Sequence, residues 1–178
     1  MRKILLPLAV SAMIASPAVA REFAGPYVGA GVTLDNVQGS GPAEGVGVSG
    51  VGGTAFLGYD LPLGESAFAG VEANIDLASA DEDNLGFEAK WGWGVGARLG
   101  YKLNESTALY GRVGYARAKS GVKGCGSACN VWSDGVRYGA GLETSLTQNL
   151  SLRAEFSQYN FEDDAINNQA GIALVYGF

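Results

Sequence analysis

The chain has 178 residues with 28 Gly, 5 Pro, 2 Cys and no His, and it carries a net charge of −6 at pH 7. Glycine at that level without a Gly-X-Y period or abundant proline excludes collagen, and a 47% hydrophobic content excludes a disordered chain. The acidic balance repels a phosphate backbone, so no nucleic acid is expected as a partner.

Residues 1–20 begin with Arg2 and Lys3, continue through an apolar stretch from Ile4 to Ala15, and end on Ala18-Val19-Ala20. That is the pattern of a secretory signal peptide, with cleavage expected after Ala20. The apolar stretch contains Pro7 and falls short of the roughly 20 residues that a membrane-spanning helix needs. Losing Arg2 and Lys3 moves the net charge from −6 to −8. Residues 21–178 are expected to form one domain, and no segment in them offers an apolar run long enough to cross a bilayer as a helix.

From residue 21 onward the chain divides into eight stretches in which every second residue is apolar, near 26–36, 50–60, 66–78, 87–102, 107–118, 135–147, 149–161 and 167–178. A period of two is that of a β-strand. The links alternate in length. Leu61–Glu65, Leu103–Ser106 and Thr147–Asn149 are short, whereas Val37–Ser49, Ser79–Gly86 and Lys119–Asp134 are long, and Glu162–Ile166 closes the series. Short turns on one side and longer loops on the other are the plan of a bacterial outer-membrane barrel, with the short turns in the periplasm.

One face of these strands is apolar and free of charge, as in Val28-Ala30-Val32-Leu34, Val71-Ala73-Ile75-Leu77 and Val95-Ala97-Leu99-Tyr101. The alternate positions hold Asp60, Glu72, Asn74, Asp76, Glu88, Lys90, Arg98, Lys102, Arg112, Arg137, Glu143, Arg153, Glu155 and Gln169 among many Gly and Ser. A soluble barrel would turn the apolar face inward, and a membrane barrel turns it outward. Aromatic residues at the ends of the apolar face (Tyr59, Tyr101, Tyr115, Tyr138, Tyr176, Phe178) and the glycine-rich charged face favour the second arrangement. The expected fold is therefore all-β, an eight-stranded antiparallel up-and-down transmembrane β-barrel. Phe56 and Phe68 break the pattern, as do Tyr159 and Phe161, for which a β-bulge or a strand end above the membrane would account.

Small barrels have interiors just wide enough for side chains to fill, and buried charges must pair. Glu72, Lys90, Arg98, Lys102, Arg112, Arg137, Glu143, Arg153 and Glu155 are accordingly expected to form a lumenal ion-pair network. It would act as a plug or, if Gly92, Gly94, Gly96, Gly139 and Gly141 leave room, line a narrow polar pore. Cys125 and Cys129 are expected to close a loop disulfide, since the periplasm is oxidising. Trp132 beside them would be an interfacial aromatic or a partner contact. The acidic stretches Asp81-Glu82-Asp83 and Glu162-Asp163-Asp164 are expected as solvated loop charge, with divalent cations shared with lipopolysaccharide phosphates as the alternative. Gly45-Val46-Gly47-Val48-Ser49-Gly50 matches a dinucleotide fingerprint in letters only, without the strand and helix it requires, and is expected as a loop. No cofactor or metal is expected. Barrel enzymes of outer membranes use a histidine as general base near neutral pH, and a chain without histidine is not expected to be one.

The segments Gly25-Pro26-Tyr27-Val28-Gly29, Gly53–Asp60, Phe68–Leu77 and Gly171–Phe178 resemble the opacity-type outer-membrane β-barrel family, which is related to the membrane domain of outer-membrane protein A. The ending Ile172, Leu174, Tyr176 and Phe178 resembles the signal read by the barrel-assembly machinery. The resemblance implies integral outer-membrane localisation, with outer-membrane lipids, lipopolysaccharide and the assembly machinery as partners and an extracellular loop ligand left open. It also implies a structural or surface-interaction role, with a low-conductance porin for small solutes as the alternative, and a monomeric state.

Overall fold

The computed structural model describes residues 23–39, 47–77, 81–82, 87–122, 131–162 and 165–178. The strands are β1 (Gly25–Gly39), β2 (Gly47–Leu63), β3 (Ala67–Leu77), β4 (Asp81–Glu82), β5 (Phe87–Lys102), β6 (Thr107–Val122), β7 (Val131–Ser145), β8 (Leu150–Phe161) and β9 (Ala165–Gly177). All pairings are antiparallel, and β4 pairs only with β5, at Asp81 and Glu82. The other eight strands form a ring, because β1 pairs with β9 and β3 pairs with β5. The fold is thus a closed, eight-stranded antiparallel β-barrel. Closure leaves no sheet edge with unpaired backbone groups, which in hydrocarbon would cost several kcal/mol each.

Local chemistry sets the three tight turns. Gly64 supplies a positive φ of 78° between β2 and β3, a conformation that costs glycine little. After β5, the Asn104 side chain accepts from the amides of Ser106 and Thr107 at 2.9 and 2.8 Å. After β7, Thr147 Oγ1 accepts from the Leu150 amide at 3.1 Å. In the second and third turns the side chain adds its bond to the backbone bonds Leu103 N–H to Thr107 O and Leu146 N–H to Leu150 O. The other described strand ends, at Gly39 and Gly47, Val122 and Val131, and Phe161 and Ala165, lie at the opposite end of the barrel.

The apolar face points out. Val32, Val71, Leu99, Val113 and Ile172 are each more than half exposed, whereas Glu72, Arg98, Glu143 and Arg153 are buried inside. No helix among the described residues is long and apolar enough to cross a membrane; the outward apolar band of the strands is the surface that meets lipid. The terminal residues Ile172, Leu174, Tyr176 and Phe178 also face outward, with Tyr176 and Phe178 in edge contact at 5.3 Å.

Several strands run past the bounds the alternation sets. β1 continues to Gly39, β6 to Val122, and β7 starts at Val131 rather than near 135, while it ends at Ser145 rather than 147. The reason is that pairing outlasts the apolar pattern: Gln38 and Lys119, beyond the expected bounds, keep their ladder partners although their side chains are polar. Gly47–Gly50 likewise belong to β2 rather than to a loop. No bulge lies in β8, whose register with β7 and β9 is continuous from Ser151 to Asn160. Tyr159 simply faces the lumen with its hydroxyl satisfied. The described barrel ladders shift register between Ala89 and Trp91.

The buried aromatics explain much of the glycine. Phe56 faces Gly29, Tyr27 faces Gly58, Phe68 faces Gly100 and Tyr110 faces Gly141, each as direct cross-strand partners. A Cβ on Gly141 would stand 2.4 Å from the Tyr110 hydroxyl, and one on Gly100 would stand 2.1 Å from the Phe68 ring. These glycines are seats for rings. Gly141→Val is therefore expected to cost about 1–3 kcal/mol by overpacking, read as a lower urea midpoint of the heat-modifiable band; an unchanged midpoint would mean that Tyr110 is free to move away.

Candidate functional site: a latched lumen

Inward positions of six strands meet in one continuous chain of ion pairs. Asp60 on β2 takes the Arg98 guanidinium of β5 through Nε at 2.8 Å and through a second, shorter bond from Nη2. Arg98 Nη1 lies 3.2 Å from Glu143 Oε2 on β7, and Glu143 Oε2 is 2.9 Å from Arg153 Nη2 on β8. Arg153 then reaches Glu72 on the opposite wall, in β3, at 2.6 Å, and Glu72 holds Arg112 of β6 at 2.7 Å. The chain continues from Arg112 to Glu155 at 3.3 Å, from Glu155 to Arg137 at 2.8 Å and from Arg137 to Asp76 at 3.8 Å. Carboxylates and guanidiniums alternate throughout, so every arginine has an anion on each side. That is the condition for burying charge, because each ion taken from water costs several kcal/mol unless it is paired and hydrogen-bonded.

Aromatic rings fill the gaps between the charges. The Arg98 guanidinium lies 4.6 Å from the Tyr27 ring centre and 5.1 Å from those of Phe68 and Tyr110. Arg153 lies 4.4 Å from Phe56, and Arg137 lies 4.8 Å from Tyr159. Planar cations against ring faces are attracted by the ring quadrupole. The phenols are tied in as well: Tyr27 donates to Glu72 at 2.9 Å and Tyr110 donates to Glu155. At the end near the tight turns, Phe23 stacks on Phe68 with ring centres 5.4 Å apart, both fully buried. Toward the other end, Tyr159 donates to Asp76 and Gln169 at 3.1 Å, and Asp35 accepts from Asn167 and Gln169 at 2.9 Å.

Of the residues expected in the network, Glu72, Arg98, Arg112, Arg137, Glu143, Arg153 and Glu155 stand in the lumen and are joined. Lys102 is half-buried beside the turn after β5 and makes no ion pair among the described residues. The side chain of Lys90 lies outside the described residues, as do Cys125, Cys129, Asp83, Asp163, Asp164 and residues 1–20. Asp60 and Asp76 end the chain and are not among the residues expected in the network. Both occupy inward positions of the alternation, and that parity was the signal to use. The glycines expected to leave room do not leave it: Asn74 Oδ1 lies 3.0 Å from a Cβ built on Gly94, Ser157 Oγ lies 2.5 Å from one on Gly139, and Tyr110 covers Gly141. Gly92 and Gly96 face neighbouring backbone at 3.0 and 2.6 Å.

A closed antiparallel barrel with lipid-type residues outside and latched charges inside is the design of a transmembrane barrel. The family model of the outer membrane protein beta-barrel domain matches residues 5–178. The chain belongs to that family. As an outer-membrane barrel it is integral to the bacterial outer membrane, in agreement with the opacity-type resemblance of its strands. Among solved structures this outer-membrane barrel is similar to Ail, the attachment invasion locus protein of Yersinia pestis, at 17% identity and TM-score 0.58, covering 86% of this chain and 98% of that one. It is similar to Neisserial surface protein A at 14% identity and TM-score 0.63, covering 86% and 97%. An outer membrane channel from Pseudomonas putida F1 aligns at 9% identity and TM-score 0.50, covering 93% and 100%. At these identities the likeness carries the fold. No curated protein matches the sequence.

Proposed function

We propose that this protein is a plugged outer-membrane scaffold without enzymatic activity, which contributes to envelope structure and presents its outer loops to an extracellular ligand. The observation that carries this reading is the latch itself. The cavity left between Glu72, Arg112, Arg137, Arg153 and Glu155 holds about 30 Å3, room for about one or two waters and not for a sugar or an amino acid. Four arginines, each held on both sides by carboxylates, support a closed layer at that level. Ail has been solved in complex with the heparin analogue sucrose octasulfate, which supports an extracellular ligand as the class of partner.

The same reading includes export through a signal peptide cut after Ala20, a stapling disulfide between Cys125 and Cys129, docking of Ile172, Leu174, Tyr176 and Phe178 on the barrel-assembly machinery, and a monomer in lipid and lipopolysaccharide. A low-conductance porin is the second reading. It draws support from Asp35, a buried carboxylate of the outer lumen whose hydrogen bonds come from the neutral Thr33, Asn167 and Gln169, and which would favour small cations.

Complementation tests the role. In a strain lacking the protein, the intact chain is expected to restore resistance to bile-type detergent or surface attachment, and a variant with residues 123–130 replaced by a Gly-Ser linker is expected to fail while still showing the heat-shifted band. Equal rescue by the loop variant, together with restored uptake of a small solute, would overturn the scaffold reading in favour of the porin.

A further inference from the structure

The outer wall of β5, β6 and β7 carries a feature that the lumen does not use. These strands pair in register, so their outward residues form rows across the wall. Low on it, Leu99, Gly111 and Ala140 share a row, and with Ala69, Ala97 and Phe156 they border a shallow hollow of about 830 Å3. The hollow exists because the middle of the row carries only Gly111 and the methyl of Ala140.

Higher on the same strands the chemistry reverses. Arg117 stands between Trp93 and Asp134, and Lys119 stands between Trp91 and Trp132. The Lys119 ammonium lies 5.6 Å from the Trp132 ring centre, the Arg117 guanidinium lies 5.2 Å from it, and Trp91 meets Trp132 edge-on at 5.3 Å. Arg117 is held by Asp134 at 3.1 Å, and Glu162, exposed at the end of β8, gives its amide to the Asp134 carbonyl at 3.0 Å. Lys119 has no carboxylate partner among the described residues. Cations on a lipid-facing wall are expelled from hydrocarbon and tryptophans settle at the interface, so this row marks the headgroup level of the leaflet opposite the tight turns, the outer one. Gly111 and Lys119 are eight residues apart on β6, roughly 26 Å along the strand and about 18 Å along the membrane normal at the usual tilt. An extended acyl chain covers that span.

We propose that this stripe binds one phosphorylated glycolipid of the outer leaflet, lipopolysaccharide, with a lipid A phosphate at Lys119 and Arg117 and one acyl chain in the hollow at Gly111 and Ala140. The site deepens the lipid partnership above and stands whether or not the lumen conducts. All 3 tryptophans of the chain lie in the upper rows, so intrinsic fluorescence reads this wall alone.

The test titrates lipid A into the refolded full chain in phosphatidylcholine nanodiscs, with phosphate-free lipid A in parallel. A saturable change near one lipid per protein is expected for lipid A, and the phosphate-free lipid is expected to bind at least about fivefold more weakly. Lys119→Gln is expected to lose about fivefold, and Gly111→Leu to weaken lipid A binding by filling the acyl seat. Both variants are outward and are checked for folding by the heat shift. Equal binding of the two lipids, a linear response without saturation, or wild-type affinity in Lys119→Gln would each overturn the proposal. Such a result would leave the latched lumen untouched, because the readout lies on the outer wall.

Discussion

Arg153→Met is expected to lower the unfolding free energy by about 3–5 kcal/mol. Arg153 is nearly fully buried and joins the two halves of the latch, holding Glu143 on β7 and Glu72 on the far wall. Methionine removes the guanidinium that lies over the Phe56 ring and leaves both carboxylates with a lost partner in a buried interior. Glu72 retains Arg112 and Tyr27, and Glu143 retains Arg98, so the barrel is expected to close still, with its urea midpoint much reduced. Neutralising one of the two acids that lost Arg153 as well, in Arg153→Met with Glu143→Gln, is expected to recover part of the loss. The measurement is equilibrium urea unfolding in lipid vesicles followed by the heat shift. A loss under about 1 kcal/mol would place Arg153 in a hydrated environment and count against a dry latch.

The second large effect lies on the other side of the wall. Val113, midway along the outward band of β6 between Leu109 and Arg117, is more than half exposed to the surroundings of the barrel. An arginine there is expected to cost about 2–4 kcal/mol if the surroundings are hydrocarbon. Two turns of the alternation higher, the wild-type chain already carries Arg117, so Lys119→Arg is expected to leave stability unchanged. The contrast between the two positions measures where the membrane ends. A Val113→Arg variant as stable as the wild type in vesicles would mean that this wall faces water.

The fold was legible because the membrane imposes a strict alternation: each outward position from Val28 to Leu34 or from Val95 to Tyr101 is apolar, and closure follows from the absence of any tolerated edge. Turn positions were legible for the same reason that Gly64, Asn104 and Thr147 make good turns. The outer strand ends were not, because there the side chains no longer need to be apolar while the backbone ladder continues, as at Gln38 and Lys119. The lumen was legible as a set of inward charges but not as a wiring pattern. Arg153 and Glu72 are 81 residues apart, and nothing local announces which carboxylate a given arginine will meet across the barrel. Parity alone did place Asp60 and Asp76 on the inward face, whereas Tyr159, expected as a break in the pattern, follows it into the lumen. Glycine misled in one respect: at Gly141 the room expected from the missing side chain is taken by the ring of Tyr110 on the strand opposite, a pairing visible only once the two are in register.

Single-channel recording of the refolded protein in a planar bilayer tests the central claim, that the ion-pair chain closes the lumen. The wild-type protein is expected to be silent at high protein-to-lipid ratio and high voltage, and Arg112→Ala combined with Arg137→Ala, which removes two arginines bordering the 30 Å3 cavity, is expected to produce small, reproducible steps. Regular conductance steps from the wild type would contradict the latch and make the same residues the selectivity filter of a pore.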